Sequence, residues 1–198
     1  PEFVNKMMEN KWLGSKTGQG FYKKEGKDIL TLDLDTLEYR ANKKASFATL
    51  ELTKTIEKPI DRFKVLVTGK DKAGDFYRKN FASMFQYCSN RIPEITDAFY
   101  KIDDAMKAGF GWENGPFEIW DAIGVEKGIE LMKAEGYQPA SWVTDMLASG
   151  NTSFYSIKDG ATHFYSITNK KVEKIPGQDA FIILNNIRES KKIWNNSD

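Results

Sequence analysis

The sequence predicts a mainly α-helical fold with a small β-hairpin appended near its C-terminal end. Three observations carry the prediction. Between about residues 45 and 150 the apolar side chains recur every three to four positions, the period of a helix with one buried face. Glycines stand just past the last apolar residue of four successive stretches, at Gly109, Gly124, Gly136 and Gly150, where a helix end takes up the left-handed conformation. After residue 150 the pattern changes to aromatic and β-branched runs around Asp159-Gly160, a strong hairpin signal.

Taken in order, the elements fall into three regions: 1–40, 41–150 and 151–198. In the first, Phe3, Met7, Met8 and Trp12 predict a helix from Glu2 to Leu13 that Gly14 ends. Gly18-Gln19-Gly20 predicts a tight turn that brings Phe21 and Tyr22 back onto the helices. Ile29 to Leu34 alternates apolar and polar side chains, the pattern of a half-exposed strand. In the second region, short helices are expected over Ala45–Ile56 and over Ile60–Val67, the latter ended by Gly69. The longest helix is expected from Asp75 to Tyr100, kinked or broken at Pro93. One row of its surface carries Phe76, Asn80, Met84 and Tyr87, and the next carries Tyr77, Phe81, Phe85 and Cys88. Asp103 is expected to cap a helix starting at Asp104. Pro116 and Pro139 stand at helix starts, and Phe117 and Trp120 should face the core. In the third region Ser153–Ile157 and Thr162–Ile167 form the hairpin arms, and Lys171–Ile175 is a candidate third strand. The apolar run Phe181–Leu184 fits a strand or a buried turn.

Of 198 residues, 40% are hydrophobic and 13% aromatic, enough to bury a real core. Basic residues number 29 and acidic residues 28, so no broad positive field points to nucleic acid. The pairs Lys23-Lys24, Lys43-Lys44, Lys170-Lys171 and Lys191-Lys192 read as solvated surface. The single cysteine, Cys88, cannot form an internal disulfide and lies among apolar neighbours at helical spacing, so a buried thiol and a cytoplasmic setting are expected. No stretch approaches the roughly 18 apolar residues of a membrane span. The start at Pro1 and the polar end at Trp194–Asp198 read as those of a segment within a longer polypeptide.

Several familiar chemistries find no support. Gly18-Gln19-Gly20 opens like a dinucleotide fingerprint, but Lys23 stands where its third glycine belongs. Gly14-Ser15-Lys16-Thr17 resembles the end of a phosphate-binding loop, but Ser15 replaces the glycine before the lysine. The only histidine, His163, lies in the hairpin with Glu173 as its nearest downstream carboxylate. One His and one Cys do not make a tetrahedral zinc site. Asp103-Asp104 and Asp33/Asp35 are conceivable ligands for a hard cation, but the helix dipole accounts for the first pair. No nucleophile elbow is present. The residues alone predict no catalytic, cofactor-binding or metal site.

Two segments resemble a known family, the 3-hydroxyacyl-CoA dehydrogenases. Leu13-Gly14-Ser15-Lys16-Thr17-Gly18-Gln19-Gly20-Phe21-Tyr22 is similar to the signature closing that family's first C-terminal repeat, through Gly14, Lys16, Gly18, Gly20, Phe21 and Tyr22. Ile102-Asp103-Asp104-Ala105-Met106, the turn at Gly109, then Gly115-Pro116-Phe117, Asp121 and Gly124 resemble a second signature, and both occur in the family's order. The resemblance covers residues 1–150 and implies a helical bundle like that family's C-terminal domain, of the 6-phosphogluconate dehydrogenase C-terminal type. It implies a parent that oxidises the 3-hydroxyl of an acyl-CoA with NAD in fatty-acid β-oxidation. Its catalytic His–Glu pair would lie on an upstream Rossmann domain, and an assisting Asn on the first repeat. Asn80 falls roughly where that Asn would be in the second repeat, but without the pair it receives no role. The stripe Phe76, Phe81, Met84 and Phe85 is expected to pack partly against the first repeat, or against another copy of the chain. Residues 151–198 are compatible with the link that leads, in some bacterial members, into a fused enoyl-CoA hydratase domain. On this reading the chain is scaffold and interface, and inactive alone. The competing reading is an independent helical module binding acyl-CoA or a protein through aromatics near Trp112, Trp120 and Trp142. A hydrolase is a distant third.

Overall fold

A computed structural model describes residues 1–178, 182–184, 186 and 187. The chain forms two compact units, Pro1–Ser46 and Phe47–Asp198. Among the described residues are eight α-helices and two three-stranded antiparallel sheets, so the predicted helical class with a small β element is what the chain adopts. No helix among them is long and apolar enough to cross a membrane.

In the first unit, α1 (Glu2–Glu9) stops four residues earlier than Leu13. Lys11, rather than Gly14, closes the helix, with φ 59° in the left-handed region. The amides of Lys11 and Trp12 close back onto Met8 and Met7, a helix ending usually built with glycine. A single turn at Ser15–Thr17 leads into the meander β1 (Tyr22–Glu25), β2 (Asp28–Leu32) and β3 (Tyr39–Ala41). The predicted strand at Ile29–Leu34 is the central one, and its neighbours carry little of the alternation that made it legible.

The second unit opens with α2 (Ala48–Thr53) and α3 (Pro59–Thr68). The long helix α4 runs from Lys72 to Asn90, with Asp71 as its cap. It therefore begins earlier than Asp75 and ends before Pro93, which breaks the helical path rather than kinking it. Then come α5 (Tyr100–Phe110), α6 (Pro116–Ile123), α7 (Val125–Ala134) and α8 (Ser141–Ala148). A second meander follows, β4 (Tyr155–Lys158), β5 (Ala161–Ser166) and β6 (Lys171–Lys174). The β4–β5 turn has φ 53° at Asp159 and 74° at Gly160, as the Asp-Gly signal requires. Gly136 and Gly150 close α7 and α8 in the left-handed region. Gly109 does not close α5: it lies inside that helix, and Gly111, with φ 67°, is the cap. In the run Phe181–Leu184, Ile182 and Leu184 are exposed and Ile183 is half-buried. Phe181, Lys191-Lys192 and Trp194–Asp198 lie outside the described residues.

The core of the second unit is aromatic. Phe81, Phe85 and Trp120 stack in a column, with centroids 5.9 and 4.7 Å apart. Phe99 is the hub of a second group, touching Phe117, Trp142, Phe154 and Phe164. Phe164 lies on β5 and Phe154 immediately precedes β4, so the β meander completes the helical core. Trp120 and Trp142 are buried, and their indole N–H groups donate to the carbonyls of Val125 and Ser89, each at 3.0 Å. Of the three tryptophans expected to mark a binding surface, only Trp112 is exposed. The rows of α4 divide likewise: Phe81 and Phe85 are core, while Phe76 and Tyr87 are exposed.

Candidate functional site

The second signature segment converges on one polar cluster beside the aromatic core. Asp103 does not cap a helix at Asp104. Because α5 starts at Tyr100, Asp103 falls inside the helix, and its carboxylate is fully buried. It caps α6 instead. Its Oδ1 accepts from the Phe117 amide at 2.9 Å, and its Oδ2 from the Glu118 amide at 3.1 Å and the Tyr155 hydroxyl at 2.8 Å. The first amides of a helix have no partner within it, and a carboxylate supplies one with the favourable sign for the helix dipole. Gly115, the residue preceding α6, has no side chain to offer, and a Cβ there would lie 2.3 Å from the Asp103 Cβ. The glycine is therefore the gap through which the carboxylate reaches the helix. Pro116 occupies the first helical position, where its missing amide hydrogen does no harm.

One helical turn on, Asp121 repeats the device toward the sheet. Its two oxygens accept from the amides of Phe154 at 2.7 Å and Tyr155 at 2.8 Å. Tyr155 is thus held at both ends, its hydroxyl by Asp103 and its amide by Asp121. Glu118 accepts from the Gly115 amide at 2.8 Å and pairs with Lys107, also at 2.8 Å. Burial lowers the affinity of the Lys107 ammonium for its proton, but Glu118 and Asp104 outweigh it and hold the pKa above the ordinary lysine value. Burial, reinforced by the neighbouring Asp103 carboxylate, pushes the Tyr155 phenol far up, so it remains a donor. Gly124, with φ 104°, both ends α6 and precedes α7, a junction only glycine makes without strain.

This cluster forms one wall of a cleft of about 1180 Å³, whose lining also includes Ile60, Asn114, Thr162, Ile175 and Gln178. Every carboxylate oxygen of Asp103 and Asp121 that faces the wall is engaged with a backbone amide or with Tyr155. The arrangement fixes the start of α6 and seats the hairpin; it does not present a base to a substrate. His163, half-buried on β5, points its Nδ1 at the Ala161 carbonyl, 3.1 Å away. Asn80 is exposed and its amide donates to the Phe76 carbonyl. Burial pushes the Cys88 thiol up to about 11, as expected for an inert, largely buried cysteine.

The first signature segment lies in the other unit. The Gly14 amide donates to the Gln19 carbonyl at 2.9 Å, closing the loop. Gly18 is left-handed, and Gly20 is buried so tightly that a Cβ would lie 2.8 Å from Gly14. Thr17 accepts from the Leu13 amide. Lys16 is exposed. Phe21 and Tyr22 do not turn onto the helices as expected. Both are exposed, and Phe21 makes only an edge contact with Phe3 of α1.

Four contributors escaped the sequence reading: Tyr155, Glu118, Lys107 and Gly128. Gly128 lies inside α7, and a Cβ there would fall 2.0 Å from the Trp120 indole nitrogen. A glycine inside a helical pattern was the available signal. The others carried none, since the pairings bridge up to 52 residues.

Fold and cluster together define a helical framework domain whose acidic signature residues serve backbone amides. Residues 81–158 match the family model described as "3-hydroxyacyl-CoA dehydrogenase, C-terminal domain". A Bacillus subtilis (strain 168) protein named "Probable 3-hydroxyacyl-CoA dehydrogenase" is 43% identical over 165 residues, 83% of this chain and 21% of that protein. Two proteins named "Putative fatty acid oxidation complex trifunctional enzyme" are similar more distantly. The one from Rickettsia felis is 28% identical over 59% of this chain and 15% of its own length. The one from Rickettsia prowazekii is 27% identical over 65% of this chain and 17% of its own. The chain thus spans about a fifth or less of the length of these relatives. No solved structure matches it. Residues 81–158 carry the C-terminal domain of the 3-hydroxyacyl-CoA dehydrogenase family.

Proposed function

We propose that this chain is the scaffold and interface portion of an NAD-dependent 3-hydroxyacyl-CoA dehydrogenase of fatty-acid oxidation, with the reacting groups elsewhere in the parent polypeptide. One observation carries the reading: the most distinctive acidic residues of the signature, Asp103 and Asp121, are occupied by the amides of Phe117, Glu118, Phe154 and Tyr155. A carboxylate so engaged orders helices and strands and is not available as a general base. NAD and the acyl-CoA would be held by the Rossmann domain and first repeat of the parent, and the names of the Rickettsia relatives fit a multidomain parent of this kind. The interface role finds support in the exposed row of Phe76 and Tyr87 on α4, large apolar side chains on a helix whose other face is buried.

The test is to mix the purified chain with NAD and a 3-hydroxyacyl-CoA and follow NADH absorbance, with a calorimetric titration of acyl-CoA alongside. No turnover and no saturable binding are expected. Turnover would overturn the scaffold assignment; saturable acyl-CoA binding without turnover would replace it with a binding module.

A further inference from the structure

Among the described residues the Asp103–Asp121 cluster holds more negative charge than its surroundings balance, and it bonds the start of the β4–β5 hairpin to α6. Asp103 is fully buried. Asp121 lines the cleft, as does Tyr155, so water and protons reach the pair from that side. The groups facing it are Tyr100, Asp104 and Lys107 on α5, Glu118 on α6, Tyr155 on β4 and Cys88 on α4. From α3, β5 and the segment after β6 the cleft is lined by Ile60, Thr162, Ile175, Pro176, Gln178 and Asn186, none of them charged. Lys107 is the one ammonium in this set, and it is committed to Glu118 and Asp104, at 2.8 and 3.4 Å. Both carboxylates accept from amides, which favours ionisation. Two like charges in a buried site, with no uncommitted cation facing them among the described residues, oppose it.

We infer that Asp103 and Asp121 form a proton-controlled latch, which seats the hairpin on α5 and α6 most firmly while one of the two carries a proton and loosens it as both become ionised. The direction follows from linkage. An opened hairpin exposes Asp121 and Tyr155 to water, so the open form binds fewer protons than the closed one, and rising pH favours opening. Burial, opposed by the amide and Tyr155 hydrogen bonds and reinforced by repulsion from Glu118 and, for Asp121, from Asp103, pushes each carboxyl up to about 7. The change therefore falls near neutrality rather than in the ordinary carboxylate range.

Hydrogen exchange of the full chain from about pH 5.5 to 8.5 tests this, read as protection factors corrected for the intrinsic pH dependence of exchange. The Phe154 and Tyr155 amides should lose protection by about tenfold or more across that range, a one-unit linkage effect. Amides of the α4 core around Phe85 should not follow. Asp121→Asn, which removes the charge and leaves one oxygen to accept from the Phe154 and Tyr155 amides, should lower their protection at every pH and flatten its dependence on pH. Constant protection of Phe154 and Tyr155, an equal fall throughout the unit, or an unchanged slope in Asp121→Asn would each overturn the inference. Should that variant not fold, carboxyl carbon chemical shifts of the unaltered chain decide: a midpoint near 7 for at least one of the pair supports the latch, and midpoints below about 5 for both overturn it.

Discussion

At Gly115 and Gly109 the chain offers two glycines of one signature with opposite physical roles. A methyl group at Gly115 would meet the Asp103 backbone and side chain within 2.4 Å, whereas nothing lies within 4 Å of the position it would take at Gly109. Gly115→Ala should therefore destabilise the unit by about 1–3 kcal/mol, the usual cost of forcing atoms into a packed site. Gly109→Ala, inside α5, should stabilise it by about 0.5–1 kcal/mol by restricting the unfolded chain. Urea unfolding of both variants checks the pair, and equal effects would contradict the account. The sequence marks both residues as helix punctuation because periodicity shows where helices end but not what passes close by. The Asp103 role failed for the same reason. Its position near a helix start suggested a local cap, and only the fold reveals that its amides belong to a helix 14 residues away.

Among elements, the joints matter more than the helices themselves. Asp71 caps α4 through the Gly74 amide and also takes the amide and hydroxyl of Thr49 on α2. Those bonds, the Thr49 amide first, hold its carboxyl down at about 2. A depressed folded pKa means a contribution present above the unfolded carboxylate pKa and lost as pH falls toward 2. Asp71→Asn should therefore lower the melting temperature at pH 6 and match the unaltered chain near pH 2. A difference that persists unchanged at low pH would show that the charge is not what matters. The β meander is a joint of another kind. Its arms and Asp-Gly turn were readable from two aromatic runs, and the third strand was foreseen. Its burial was not, because alternation says which side chains share a face but not which helices they meet. Phe99 packs against aromatics from α6, α8, β4 and β5, so Phe99→Ala should cost about 3–5 kcal/mol. Deleting residues 151–198 should leave a chain without cooperative thermal unfolding. A deletion that melts as sharply as the full chain would show the sheet to be dispensable.

For the whole molecule, the helical class was legible because the second region carries apolar side chains at helical spacing, with glycines between its helices, and the signature segments were legible as runs of glycine, proline and acid. What those acids do was not, since their partners are backbone amides that any sequence would supply. The account rests on the claim that the signature builds a frame and that chemistry happens elsewhere in the parent. Its most direct test is Asp103→Asn in the full-length dehydrogenase, with thermal stability and NADH formation from a 3-hydroxyacyl-CoA measured on the same preparation. An asparagine presents an NH₂ where an amide hydrogen must be accepted, so the account predicts a loss of about 1–3 kcal/mol in stability, with turnover per folded molecule within about twofold of the unaltered enzyme. Turnover reduced a hundredfold or more, about 2.7 kcal/mol in the barrier, with stability unchanged would contradict it and make Asp103 part of the chemistry.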